Sequence, residues 1–261
     1  PLMSRHLRAL NDLLRNVGLT CPLFLMLSGG GITTLDTAVR FPVRLMESGP
    51  AGGAIFSSHI AAELGLDSVL SYDMGGTTAK VCLIDEGRPQ TARTFEVARE
   101  YRFLKGSGIP LRIPVIEMVE VGAGGGSIAG VDSMRRISVG PGSAGSNPGP
   151  VCYGLGGQLP TVTDADVTLG RIDPNNFAGG SMRLDSESAA DALIRSVGDL
   201  LGFSVEHAAL GVSEIVDENM ANAARVHAIE SGKNVHARTL VAFGGAAPIH
   251  VSRLAEKLGV D

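Results

Sequence analysis

Asp73-Met74-Gly75-Gly76-Thr77-Thr78 lies between two apolar runs, Ser68 to Tyr72 and Val81 to Ile84. Each run has the length and composition of a short buried strand, so the hexapeptide is predicted to turn a hairpin. An ordinary tight hairpin needs no more than the glycine pair. This one places a carboxylate directly before the glycines and two hydroxyls directly after them. Backbone without side chains lets N–H groups approach a phosphate, hydroxyls add donors, and a carboxylate can hold the accompanying magnesium. A plain turn and a phosphate cradle both fit these six residues.

The flanking sequence alternates helix and strand patterns. Leu2, Leu7, Leu10, Leu13, Leu14 and Val17 recur at helical spacing, and Pro22 to Leu27 reads as a strand ending in Ser28-Gly29-Gly30-Gly31. Thr33 or Thr34 is placed to cap a short helix to Arg40, and Ser48-Gly49-Pro50-Ala51-Gly52-Gly53 opens a second helix to about Leu64. Past the hairpin, Gln90 to Ala98 and Leu111 to Val121 read as strands, with Arg99, Glu100 and Arg102 marking a solvated turn between them. Gly122 to Gly157 is rich in glycine and proline, with strand patterns only at Ser127 to Val131 and Arg136 to Val139. Long segments of this kind inside compact domains are usually functional when ordered. Helical patterns then dominate: Asp185 to Leu201, and a long helix from Ser204 to Ser231 that Gly232 can end. Leu240 to Phe243 is a final strand, and Gly244-Gly245 leads into a helix from about Pro248 to Leu258. Interleaved strands and helices make the fold class α/β.

Composition narrows the function classes. The 261 residues are 44% hydrophobic and 19% charged, with net charge −5. A globular chain with one large or two modest domains follows. No basic run supports nucleic-acid binding, and no apolar stretch approaches the ~20 residues of a membrane helix. Cys21, Cys82 and Cys152 are few, odd in number and widely spaced. Reduced thiols in a cytoplasmic protein fit them better than a disulfide framework or a zinc site. The abrupt start and finish of the pattern suggest a segment of a longer polypeptide.

Simpler motif readings fail. There is no Walker-type Gly-x-x-x-x-Gly-Lys-Ser/Thr and no Gly-x-Ser-x-Gly elbow. Gly140-x-Gly142-x-x-Gly145 matches a dinucleotide fingerprint as a string, but Asn147-Pro148-Gly149-Pro150 forbids the helix that must follow. What remains is a repeated theme of glycines at element junctions: Ser28 to Gly31, Gly75-Gly76, Gly122 to Gly126 and Gly244-Gly245. At Gly244-Gly245 a strand gives way to a helix start, where backbone can approach a ring or a phosphate under the helix's positive end. Lys80 either reaches a phosphate or faces water. Asp164 and Asp166, behind Thr163 as a cap, either favour the helix dipole or contact magnesium or a substrate. His250, in the first turn of the last helix, is either a neutral base or a surface residue.

Taken in order, Met46 to Gly52, Asp73 to Thr78, Val121 to Ala129, Val139 to Gly145, Pro148 to Gly154, Thr161 to Asp166 and Phe243 to Pro248 resemble the hydantoinase A/5-oxoprolinase family. The match covers nearly the whole chain. Its members are similar in fold to the actin and hexokinase ATPases, a ribonuclease H-like lobe. The resemblance implies a single domain over 1–261, which the sequence pattern subdivides into a sheet-and-helix part at 1–121, a glycine- and proline-rich loop region at 122–160 and a mainly helical part at 161–261. It implies ATP and Mg2+ as cofactors and a hydantoinase B-like second subunit or domain. The reaction implied is hydrolysis of cyclic amides or imides of the hydantoin or 5-oxoproline type through a phosphorylated substrate. Alternatives are the ATP-binding subunit of an acetone or acetophenone carboxylase, and a non-catalytic nucleotide-binding module.

By the same match Asp73 belongs to a phosphate-binding hairpin and is the candidate catalytic and magnesium-binding residue, while Asp164, read from its helix start, is the second candidate catalytic acid. Gly75, Gly76, Thr77, Thr78 and Lys80 belong to the second phosphate hairpin, Gly244 and Gly245 to the adenosine-side turn, and Gly124, Gly125 and Gly126 to a further contact. Many relatives carry an acid where this chain has Lys80, and Ala247 replaces a frequent glycine. Relatives also carry a first hairpin of the same type, which this chain lacks. The expectation is therefore half of an ATP cleft, with weak binding and no turnover by these 261 residues alone.

Overall fold

The computed structural model describes residues 2–97 and 106–260, so the turn predicted around Arg99, Glu100 and Arg102 lies outside the described residues. Two compact units divide the chain: residues 1–71 with 82–118, and residues 72–81 with 119–261. The tip of the Asp73 hairpin thus groups with everything after Met118. The glycine- and proline-rich stretch and the helical C-terminal part belong to one unit, where the sequence suggested separate subdivisions.

The first unit opens with α1 (Leu2–Asn16), then β1 (Phe24–Met26), β2 (Ile32–Thr34), α2 (Leu35–Arg40) and α3 (Ser48–Leu64). Its core joins Leu7 of α1, Ala38 of α2 and Leu45, with Leu25, Leu27, Leu35 and Val39 packed around them. The Ser28 segment does not lead from strand to helix as expected. It turns an antiparallel hairpin in which Met26 pairs with Ile32, because the Ile32-Thr33-Thr34 run adds a strand before α2 begins. Gly30 is required there: its φ is +82°, and a Cβ would lie 2.8 Å from Ile55 and 3.1 Å from Ile116. Helix α3 ends at Leu64, as predicted, and Gly65 follows it in left-handed backbone at φ 66°.

Strands β3 (Ser68–Met74) and β4 (Ala79–Asp85) form the predicted hairpin. The two long strands expected next are broken into β5 (Arg88–Pro89), β6 (Thr91–Ala92), β7 (Phe95–Val97), β8 (Ile109–Leu111), β9 (Val115–Ile116) and β10 (Val119–Val121). Pro89, Pro110 and Pro114 each remove a ladder donor, which keeps these pairings short.

In the second unit β10 pairs antiparallel with β4, placing Glu120 opposite Lys80, and β13 (Thr239–Phe243) lies beside β3. Strands β11 (Ser127–Val131) and β12 (Ile137–Ser143) make a separate hairpin from the glycine-rich stretch. Helices α4 (Val162–Thr168), α5 (Ser186–Leu193), α6 (Asp199–Leu201), α7 (Val205–Glu230) and α8 (Ala247–Leu258) complete it. The Ser204 side chain caps α7 by accepting the His207 N–H at 3.3 Å. Alanines dominate the buried face of α7, which lets the helix pack closely on α4, α8, β10 and β12. No helix among the described residues is long and apolar enough to cross a membrane.

Candidate functional site

Three of the four glycine segments meet in the second unit. The Gly125 N–H donates to Gly75 O at 3.0 Å and the Gly126 N–H to Gly76 O at 2.6 Å, so the 124–126 loop lies flat along the hairpin turn. A Cβ on Gly124 would fall 2.7 Å from the Thr77 backbone, and one on Gly126 2.9 Å from Gly76 O. From the other direction Ala246 N–H donates to Met74 O at 2.9 Å. Gly244, at φ +95°, sits so close that a Cβ would lie 2.6 Å from the Asp73 carboxylate. The Asp73 to Thr78 turn is therefore gripped by the two other glycine segments. The Ser28 to Gly31 segment is a hairpin of the first unit.

Glycine at Gly75, Gly76 and Gly245 has no such internal cause. None of the three lies in left-handed backbone, and a Cβ on any of them would meet no atom within 4 Å. Neither chain conformation nor packing within the protein calls for glycine there, and Gly76 and Gly245 are exposed. The Gly75 N–H closes the turn by donating to Thr78 O at 3.1 Å, and the open space in front of the rest of this bare backbone, beside the Asp73 carboxylate and the start of α8, fits a phosphate group approaching main-chain N–H donors. Thr77 is exposed and Thr78 half-buried at the same turn. Lys80 reaches back along its strand: Nζ donates to the Thr78 hydroxyl at 3.1 Å and lies 3.5 Å from Glu120. Its charge is thus held at the turn rather than facing water.

Two groups of predicted residues take other roles. The amides of Gly124, Gly125 and Gly126 are spent on Ser127 Oγ, Gly75 O and Gly76 O, and all three residues are buried. They brace the hairpin and have no N–H left for a ligand. Asp164 is fully buried and accepts from the backbone N–H groups of Val151, Cys152 and Thr161 and from the Thr161 hydroxyl, at 2.7–3.2 Å. Thr161 and Asp164 form a reciprocal capping box, so the cap of α4 is Thr161 and not Thr163. Thr163 instead donates its hydroxyl to Gly125 O at 2.8 Å. Asp164 is a structural keystone, its four accepted hydrogen bonds all made within the fold. Burial and this carboxylate push the Cys152 thiol well above its usual range, which makes it inert.

Behind the Gly244-Gly245 turn lies a buried charged cluster. His250 is fully buried, not on the surface, with Nδ1 2.8 Å from Asp217 Oδ1 and Nε2 3.2 Å from Asp166 Oδ2. The first approach is a hydrogen bond, whereas the second has ion-pair distance without hydrogen-bond alignment. Burial opposes a charge on the ring, but the two carboxylates overcome it and hold its pKa up at about 9. The neutral imidazole expected from the helix dipole is therefore corrected to an imidazolium. Arg171 completes the cluster, 3.3 Å from Asp166 Oδ1 and bonded to the Ser213 hydroxyl. Burial, then Asp217, Asp166 and Asp73, raise the nearby Tyr72 phenol well above its usual range. Sequence reasoning missed Asp217, Ser213 and Arg171. The available signal was an acid set inside the apolar stripe of Val212, Val216 and Met220 on α7.

Among the described residues no group of three or more His, Cys, Asp or Glu side chains is arranged to hold a metal.

An α/β sheet whose glycine hairpin is gripped between a glycine loop and a glycine turn at a helix start defines an ATPase-type lobe. The chain belongs to the hydantoinase/oxoprolinase family, whose model matches residues 1–261. It is 38% identical over 259 residues to the caprolactamase subunit alpha of Pseudomonas jessenii, covering 99% of this chain and 36% of that one. It is 30% identical over 273 residues to the 5-oxoprolinase of Saccharomyces cerevisiae, covering 100% of this chain and 20% of that enzyme. A nucleotide-free structure of acetone carboxylase superposes with TM-score 0.84 at 30% identity, over 98% of this chain and 35% of that chain. The chain thus spans about a third or less of the length of these relatives.

Proposed function

We propose that this chain is the nucleotide-binding part of an ATP-dependent enzyme that opens cyclic amides. The observation that carries the reading is the bare backbone at Gly75, Gly76 and Gly245, where the fold itself has no use for glycine. Similarity to the caprolactamase subunit and the 5-oxoprolinase supports a lactam-like substrate. An amide carbonyl is a poor electrophile, and bound ATP would supply the phosphoryl group that turns its oxygen into a leaving group. The share of this chain is positioning and charge neutralisation. The backbone N–H groups after Gly75, whose own N–H donates to Thr78 O at 3.1 Å, would hold phosphate oxygens together with the Thr77 and Thr78 hydroxyls, with Lys80 adding positive charge at Thr78. Asp73 would hold magnesium, and Gly244-Gly245 would seat the adenosine side.

A second subunit of the hydantoinase B type is proposed as partner, since relatives are subunits of larger enzymes. A reducing, cytoplasmic setting suits the three free cysteines. Similarity to acetone carboxylase favours a second reading, in which the acceptor is a ketone and bicarbonate. Phosphate release by the full-length protein, assayed with cyclic amides and separately with ketone plus bicarbonate, tests both. Release stimulated by cyclic amides, and lost in Asp73→Asn, is expected. Stimulation by ketone plus bicarbonate alone would transfer the reading to the carboxylase branch, and unchanged turnover in Asp73→Asn would refute the role given to that carboxylate.

A further inference from the structure

Each ring nitrogen of His250 faces a carboxylate oxygen, Asp217 at 2.8 Å and Asp166 at 3.2 Å, and only an imidazolium carries a proton on both nitrogens. The two acids come from different helices, α7 and α4, and all three side chains are fully buried. Removing a buried charge from such a set leaves its partners uncompensated, so the packing of all three helices depends on it.

Its position is what gives it consequence. On α8, His250 lies in the first turn, five residues after Gly245, and the Ala246 N–H anchors the Gly244-Gly245 turn to Met74 O. On α4, Asp166 lies one turn beyond Thr163, whose N–H and hydroxyl both donate to Gly125 O, at 2.7 and 2.8 Å. Gly125 in turn holds Gly75 O at 3.0 Å. His250 therefore ties the element carrying the Gly245 turn to the element that braces the Gly75 to Thr78 hairpin.

We propose that His250 is a positioning residue whose clamp on Asp166 and Asp217 sets the spacing between the glycine hairpin and the glycine turn across which a nucleotide is held. This rests on the nucleotide reading of those glycines. Deprotonating the ring removes the charge that holds Asp166 at ion-pair distance and loosens α8 against α4, so nucleotide affinity should fall as the ring loses its charge. Other charged groups face the cluster from the elements packed on it. Arg171 sits on Asp166 from the end of α4, and Tyr72 of β3 is held protonated. Along the α7–α8 seam Glu214 pairs with Arg253 and Lys257, and Glu218 with Lys257 and Arg225. Glu214 is lowered to about 2, Glu218 is lowered too, and Lys257 and Arg253 are raised.

The test is calorimetric titration of the full-length protein with ATP from about pH 7 to about pH 10, with circular dichroism confirming the fold at each point. Affinity should weaken at least about fivefold, the low end of ordinary coupling between sites, with a midpoint near 9. Asp217→Asn removes one of the two carboxylates and should move that midpoint down by about one unit or more. Should that variant not fold, the His250 ring signals of the wild-type protein, followed by NMR, must titrate with the same midpoint as the affinity. A flat affinity profile in folded protein, a midpoint that Asp217→Asn leaves in place, or a mismatch between ring and affinity midpoints overturns the proposal. Absence of ATP binding at every pH would overturn the nucleotide reading first, and this inference with it.

Discussion

Asp164 and Asp166 stand two residues apart on one short helix, yet their carboxylates have different tasks. Asp164 closes the start of α4 and gathers three backbone N–H groups that would otherwise be buried without partners. Asp164→Ala is expected to cost about 2–5 kcal/mol of folding stability in urea unfolding. The folded fraction should still bind ATP, because the residue does not face the glycine site. Asp166 belongs instead to the His250 cluster. That cluster also predicts a pH dependence of stability. The His250 pKa is raised from 6.5 to about 9, so its contribution is complete below pH 6.5 and is lost as pH rises through 9. The loss is on the order of 3 kcal/mol, and urea midpoints measured between those pH values should decline. A constant midpoint across that window would show that the buried ring is not charged. Neither role was legible in Thr163-Asp164-Ala165-Asp166, since a first-turn acid looks the same whether its partners lie in its own turn or on two other helices.

At the scale of elements, local chemistry was legible wherever it decides the outcome. Gly65 and Gly259 stop helices in left-handed backbone, and Ser204 starts α7. Ser204→Ala should cost about 1 kcal/mol in thermal or urea unfolding. Long-range effects were not legible. Strand patterns between Gln90 and Val121 gave two long strands, but the prolines cut them into short pairs. Thr161 outranks Thr163 as cap because Thr163 is taken by Gly125 across the fold. The loop 124–126 was read as a ligand contact because bare backbone invites that reading. Its glycines are instead dictated by contact with another backbone, and Gly124→Ala should destabilise the unit by more than about 1 kcal/mol through collision with Thr77.

Across the whole chain, the ordered glycine segments carried the fold class and the family, while the division into two units came only with three-dimensional packing. The proposed site lies in the second unit, assembled from positions as distant as Asp73 and Gly245, and its glycines sort into two kinds. Gly124, Gly126 and Gly244 are required by the fold; Gly75, Gly76 and Gly245 are not. That contrast gives the most direct test. ATP affinity and melting temperature should be measured for Gly75→Ala, Gly76→Ala and Gly245→Ala in the full-length protein. The account predicts unchanged or slightly raised melting temperatures, as for alanine placed where glycine is not needed, together with at least about a tenfold loss of ATP affinity, or roughly 1.4 kcal/mol. Wild-type affinity in all three stable variants would contradict the assignment of this hairpin and turn as the nucleotide site.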